Sequence, residues 1–372
     1  MVTSSFPIKR DGSEAAGAFV ADLAEELSAQ GRVRVVAPGS QTLFERWKEG
    51  VEIFRYAAPS RPLSLLHPWR PDDWPWLVRV LRGGLSATRA ASRDDARHIL
   101  AFWGLPGGEW ARRAARERGI GYSVWLLGSD VWSLGRVPLM RSLLARVIRQ
   151  ASRAYADGHQ LAAAAQHMAR APVEFLPSTR RVDAAAVPPP RAQAPYRLLF
   201  LGRWHPNKGV DLLLDALALL EHDDWQQIER VEIQGGGPLE AQVRERVTAL
   251  RAAGHPVEAG HFLNKAEAEA AIMRADWVLI PSRIESIPLV FSDALQIGRP
   301  VVCSPVGDLP TLASNVGVVA RAVSAEAWRT AIRTALRASP ISYVQGITER
   351  RAMFSLASIA QRILREPLGN CP

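Results

Sequence analysis

Arg203, Lys208, Glu285 and Asp293 are the residues of this 372-residue chain whose types and spacing suit chemistry on a charged ligand. The two cations stand in Leu198-Leu199-Phe200-Leu201-Gly202-Arg203-Trp204-His205-Pro206-Asn207-Lys208-Gly209. An apolar strand there ends at Gly202 and leaves Arg203 at its carboxyl end, and Lys208-Gly209 opens a helix. Arginine offers a planar fork to phosphate and lysine a point charge, and a helix start adds unpaired N–H groups. Two cations at such a place in a parallel sheet suit a diphosphate, although two solvated loop cations would read the same way. The glycine spacing is not that of a Walker loop, and no Ser or Thr follows the lysine.

The two carboxylates lie in Trp277–Pro310, which reads as strand, loop, short helix, strand. Trp277-Val278-Leu279-Ile280 is an unbroken apolar run, as expected of a parallel strand covered on both faces. Glu285 falls in the loop after it, where open α/β sheets bind ligands. Pro288 suits the first helical turn, and Gly298 with Pro300 stops the helix before Val301-Val302-Cys303 begins the next strand. Asp293 is eight positions beyond Glu285. It is expected at the edge of the stripe Val290, Phe291, Ala294, Leu295 and Ile297, facing a cleft without entering the core. The helix start around Ile287, Pro288 and Leu289 is attractive to an anion. A solvated loop acid and a surface helix acid would show the same spacing.

The elements that must hold these groups follow from the rest of the chain. Strands are expected at 33–37, 51–56, 98–102, 122–126 and 153–156, and again at 198–201 and 231–234, with helices between them. Such alternation means parallel sheets with helices on both sides. The reading is an α/β fold of two Rossmann-like domains facing across a cleft. The first domain is expected at 1–187, a Pro188-Pro189-Pro190 linker at 188–195, the second domain at 196–340, and a C-terminal helical segment, 341–372, packing back on the first. Met1 to Ser5 leaves little room for a first strand, so the chain is expected to be short at its N-terminus.

The formal net charge of +9 suits anionic partners without choosing among them. No basic arm with interleaved aromatics, zinc finger or RNA-binding signature is visible, so nucleic acid is not an expected partner. No apolar run approaches the roughly 20 residues that span a bilayer. Cys303 and Cys371 are the only cysteines, which argues for a reducing compartment and places the protein in the cytoplasm. Residues 59–85 interleave Trp69, Trp74 and Trp76 with arginines and prolines. One reading is a peripheral membrane contact at headgroup level; the other is a loop and helix packed on their own domain.

Together the two charged stretches resemble the retaining glycosyltransferases of family 4, which have the GT-B fold. That family carries strand-Gly-Arg-x4-Lys-Gly, then Pro-Ser-x2-Glu-x7-Glu and Gly-x-Pro-Val. Here these stand as Gly202-Arg203 to Lys208-Gly209, Pro281-Ser282 to Glu285 and Asp293, and Gly298-Arg299-Pro300-Val301. Gly235-Gly236-Gly237-Pro238 looks like the family's glycine turn. The resemblance implies a nucleotide-diphosphate sugar as donor substrate, with no cofactor and no metal. Arg203 and Lys208 would hold the diphosphate, Glu285 the sugar and Asp293 the ribose. Backbone at Gly12, Gly202 and Phe262 and at the helix start Ile287–Leu289 would complete the donor site. Ser129 and Asp130 resemble an acceptor-side turn more weakly, alongside Trp125 and Trp132. The acceptor is expected to be a glycan or lipid-linked molecule in cell-surface polysaccharide biosynthesis.

Two departures stand out. The second acid is Asp293 rather than Glu, one methylene shorter. Leu127 stands where many members have a histidine near the reacting sugar. A non-catalytic sugar-nucleotide or glycan-binding protein of the same fold, or a sugar-nucleotide epimerase, are the competing readings.

Overall fold

The computed structural model describes residues 1–9, 14, 17–61, 63, 66, 67, 69–93, 95–182 and 187–365. The chain forms two compact units. One is built from Glu14–Pro177, the first residues of the chain and the helix that begins at Leu356. The other comprises Ser178–Ser355. Proline-rich composition marks irregular backbone, not a boundary, and the stretch expected as a linker at 188–195 lies inside the second unit. There Arg299 donates to the Pro188 carbonyl at 2.8 Å, and the Arg191 N–H donates to Asp276 at 2.8 Å.

The first unit has strands β1 (Val33–Gly39), β2 (Leu43–Lys48), β3 (Val51–Ala57), β4 (His98–Phe102), β5 (Gly121–Leu126), β6 (Arg153–Ala156) and β7 (Glu174–Phe175). They run β2-β3-β1 and β4-β5-β6-β7. Met1–Thr3 join the two sets: Val2 bridges Val36 on one side and Ala101 on the other, both in parallel. Three residues thus stand where little room for a first strand is expected from the sequence. All pairings are parallel except β2 with β3, a hairpin the sequence reading did not anticipate. Its strand Leu-Phe-Glu-Arg-Trp-Lys buries only Trp47.

The longer helices of this unit are α1 (Ala18–Ser28), α2 (Trp74–Ala91), α3 (Glu109–Arg118), α4 (Pro138–Gln150), α5 (His159–Ala169) and, from the far end of the chain, Leu356–Leu364. Right-handed crossovers send α1, which leads from Val2 to β1, to one face of the sheet. They send α2 to α5, which lead the other way, to the opposite face. Accordingly α2 packs on α3, α3 on α4 and α4 on α5, while α1 packs on Leu356–Leu364.

The second unit has one six-stranded parallel sheet. Its strands are β8 (Tyr196–Arg203), β9 (Ile228–Gly236), β10 (Val257–Ala259), β11 (Trp277–Ile280), β12 (Val301–Cys303) and β13 (Gly317–Val319), in the order β10-β9-β8-β11-β12-β13. Central strands such as Trp277-Val278-Leu279-Ile280 are buried throughout, because helices cover both faces. The register pairs Leu199 with Val278 and Val278 with Val301. The chain builds outward from β8 in one direction and then returns to its other side with β11. The strand order therefore reverses between β8 and β11, the point at which such sheets open a crevice at their carboxyl ends.

Candidate active site

Arg203 ends β8 and is exposed. Pro206–Lys208 then forms one 3-10 turn, Gly209 takes a left-handed φ of 70°, and Val210–Ala218 is a helix. From the neighbouring β11 the loop 281–288 leads into the helix Leu289–Ile297. Lys208 and Glu285 meet here: the ammonium donates to the carboxylate in an ion pair. The side chains are 35% and 17% exposed, so the pair lies partly in water.

Two glycines make this approach feasible. A Cβ on Gly209 would lie 1.9 Å from the Pro281 carbonyl oxygen, and one on Gly307, at φ 54°, would lie 2.2 Å from that of Glu285. Both clashes are with backbone, so neither position accepts a side chain. Gly209→Ala is expected to cost roughly 3 kcal/mol through the left-handed φ and the clash together, read as a shift in the urea midpoint.

Arg283, whose role the sequence did not disclose, ties the two loops. Its guanidinium grips the Asp211 carboxylate at 2.7 and 2.8 Å and donates to the Pro206 carbonyl at 2.8 Å. Its N–H donates to the Asn207 carbonyl at 2.8 Å. Burial alone would raise the Asp211 carboxyl, but the Arg283 fork outweighs it and holds the group below its ordinary range. The fork thus pins the turn that carries Lys208 beside the loop that carries Glu285.

At the helix start Ile287 and Pro288 are buried and Leu289 is half-buried. Gly202 pairs in register with Gly235, whose N–H donates to the His261 carbonyl at 3.0 Å, so backbone leading to Phe262 lies at the same sheet edge as Arg203. The Phe262 side chain is half exposed. Gly12 lies outside the described residues.

Asp293 is a correction. It was expected at the edge of the helix stripe, but it is 0% exposed, and its carboxylate is gripped by Arg180. Arg180 Nε donates to both carboxylate oxygens at 3.0 and 2.9 Å, and a terminal nitrogen makes a further bond. The same helix is tied again by Gln296, which donates to Thr179 Oγ1 at 2.9 Å and to the Arg180 carbonyl at 3.2 Å. The helix packs against Val344–Arg351 as well as β11, so its apolar arc is wider than a single core stripe requires. Arg180 comes from the segment that enters the second unit, far away in sequence, and no local pattern announces it.

In the first unit Ser129 is exposed, but Asp130 is buried. The Asp130 carboxylate accepts the N–H groups of Gly104 at 2.9 Å and of Gly128 and Val131 at 3.1 Å. Desolvation pushes its carboxyl upward against those donors. Asp130 therefore holds two strand-end loops together, which corrects its reading as an acceptor-facing group. Trp125 is likewise a core residue, stacked on Phe102 at 5.5 Å and donating to the Leu176 carbonyl at 3.0 Å. Leu127 is half-buried. Burial pushes the Cys303 thiol up to about 12, so it is inert as a nucleophile near neutral pH.

Two α/β units, with charged loops at the strand-order reversal of the second, define the GT-B fold. Sucrose-phosphate synthase from Thermosynechococcus elongatus superposes with a TM-score of 0.75 at 18% identity, covering 98% of this chain and 96% of that one. The Anabaena protein HepE in complex with UDP-glucose does so with a TM-score of 0.65 at 16% identity, covering 98% and 97%. Residues 195–338, the stretch holding Arg203, Lys208, Glu285 and Asp293, match the family model described as Glycosyl transferases group 1. A D-inositol 3-phosphate glycosyltransferase of Mycolicibacterium gilvum is 30% identical over 177 residues, 44% of this chain and 37% of that protein. One from Jonesia denitrificans is 36% identical over 126 residues, 32% and 29%. The chain spans less than half the length of these curated relatives.

Proposed function

We propose that the protein is a retaining glycosyltransferase that moves a sugar from a nucleotide-diphosphate donor to a glycan or lipid-linked acceptor, in the cytoplasm and in the making of cell-surface polysaccharide. The observation that carries this reading is the meeting of Lys208 and Glu285 at the β8/β11 reversal, with Arg203 on the adjoining strand end. HepE, named above in complex with UDP-glucose, supports the class of donor.

In this reading the donor diphosphate lies between Arg203, Lys208 and the N–H groups at the start of Leu289–Ile297. Glu285, freed in part from Lys208, accepts hydrogen bonds from sugar hydroxyls. When the bond from the anomeric carbon to the diphosphate oxygen breaks, its electron pair stays on that oxygen. Fixed cations and the helix start stabilise this developing charge more than they stabilise the ground state. The acceptor hydroxyl oxygen bonds to the anomeric carbon on the face the diphosphate leaves, and its proton passes to the departing phosphate oxygen. No group is assigned as a covalent nucleophile, and the residues invoked need no metal. Asp293, buried and gripped by Arg180, has no part in the donor contact in this reading.

Residues 59–85 support a peripheral contact with a membrane. Trp69 and Trp74 are 75% and 60% exposed, and Val78 and Leu81 continue the Trp74 ridge one and two turns along α2. Among the described residues no helix is long and apolar enough to cross a membrane.

Leu127 favours the second reading, a protein that binds sugar nucleotides without turning them over. Calorimetry with a panel of nucleotide-diphosphate sugars, followed by product analysis with glycan and lipid-linked acceptors, separates the two. Binding and a transferred sugar with retained anomeric configuration are expected; binding without transfer to any acceptor selects the second reading.

A further inference from the structure

The helix layer α2–α5 is electrically one-sided. The only acidic residues on these four helices are Glu109 and Glu117, whereas arginines recur along the first three. Both acids are occupied, Glu109 by Arg112 and Arg113 and Glu117 by Arg89. On the opposite face α1 carries Asp22, Glu25 and Glu26 and no lysine or arginine. From Val131 to Ala156 the chain has no acidic residue at all.

Between α4 and α5 this basic layer opens into a cavity of about 510 Å³, whose polar lining is Arg141, Gln166, His167 and Arg170. Arg170 closes α5 in a left-handed conformation, φ 53°. Met168 makes an apolar wall, and a Cβ on Gly135 would lie 3.5 Å from its sulfur, so the loop leading into α4 borders the cavity. That loop and the first turn of α4 expose Leu134, Val137 and Leu139, the last at 73%. Two guanidinium groups, an imidazole and an amide around a space of this size suit a phosphodiester, and an exposed aliphatic rim beside it suits the chains such a group carries.

We propose that the α4–α5 cavity seats the phosphate of an anionic phospholipid headgroup while Leu134, Val137 and Leu139 enter the adjoining acyl region. The arginine layer supplies the attraction that brings this face to an anionic bilayer. The inference rests on the reading that the acceptor is met at a lipid surface, and it adds a headgroup-binding site separate from residues 59–85. It requires no turnover, so it can fail or stand independently of the transferase assignment.

The test is co-flotation of the full chain with vesicles of phosphatidylcholine alone or mixed with phosphatidylglycerol, with UDP-sugar calorimetry in parallel. Binding is expected only to the mixed vesicles and should weaken with salt. Arg141→Ser with Arg170→Ser should lower partitioning about thirtyfold, as loss of two arginines near an anionic surface implies. Leu139→Asp should also release the protein, with unchanged thermal melting because all three sites are exposed. Full binding by these variants, with loss confined to Trp74→Ser and Leu81→Ser, would leave the contact at residues 59–85 and overturn the cavity assignment. Binding of soluble glycerol phosphate at the cavity without vesicle binding, or retention on DNA in its place, would overturn the lipid assignment. Vesicle binding without sugar-nucleotide binding would uphold it and count only against the transferase reading.

Discussion

Lys208→Ala is expected to lower sugar-nucleotide turnover by about a hundredfold to a thousandfold, the usual loss when one fixed charge is removed from a site where negative charge develops. Glu285→Gln should fall in the same range. The two substitutions should separate kinetically. Without Lys208 the leaving diphosphate loses charge stabilisation, so kcat falls more than donor affinity. Without the Glu285 carboxylate the sugar loses its strongest acceptor and Lys208 its partner, so donor affinity changes as well. Neither should unfold the protein, because the pair is 35% and 17% exposed and a half-solvated ion pair contributes about 1 kcal/mol at most. Steady-state kinetics with melting curves on the same samples check both halves. Undiminished turnover in both variants would remove the donor site from this position.

The second large effect concerns stability. Asp293→Asn, with Arg180 left in place, is expected to cost about 3–5 kcal/mol, since it removes the carboxylate charge that grips a buried guanidinium. Arg180 is 10% exposed and Asp293 not at all, so little solvent screening softens the loss. Replacing both residues with leucine should recover most of it, because desolvating two charges cancels much of what their attraction supplies. Urea unfolding of the single and double variants measures the difference. A single-variant loss below about 1 kcal/mol would mean that the pair is screened like a surface bridge.

The contrast between these two carboxylates shows what could be read beforehand. Glu285 follows a four-residue apolar strand and precedes a proline, and those local signals suffice to place it at a strand's carboxyl end. Lys208 follows from the same grammar on β8. That β8 and β11 are neighbours is a property of sheet order, and the sequence carried it only through the family resemblance. Asp293 was misread because helix periodicity reports which residues share a face but not how many neighbours cover it. The partner that decides its role, Arg180, is 113 positions away. Asp130 failed for a similar reason. A Gly-Ser-Asp turn at a strand end looks like a polar ligand site until Gly104, from another strand end, is seen donating to it.

The α/β class, most strand positions and the charged strand ends of the second unit were determined by the sequence alone, because apolar runs, glycines and prolines act within a few residues of themselves. The tertiary structure decided which charges remain in reach of water and which are spent on the fold. It left Lys208 and Glu285 partly in water and closed Asp293 and Asp130 inside. Burial and pairing are set by what other segments bring alongside, and no window of sequence contains those segments together.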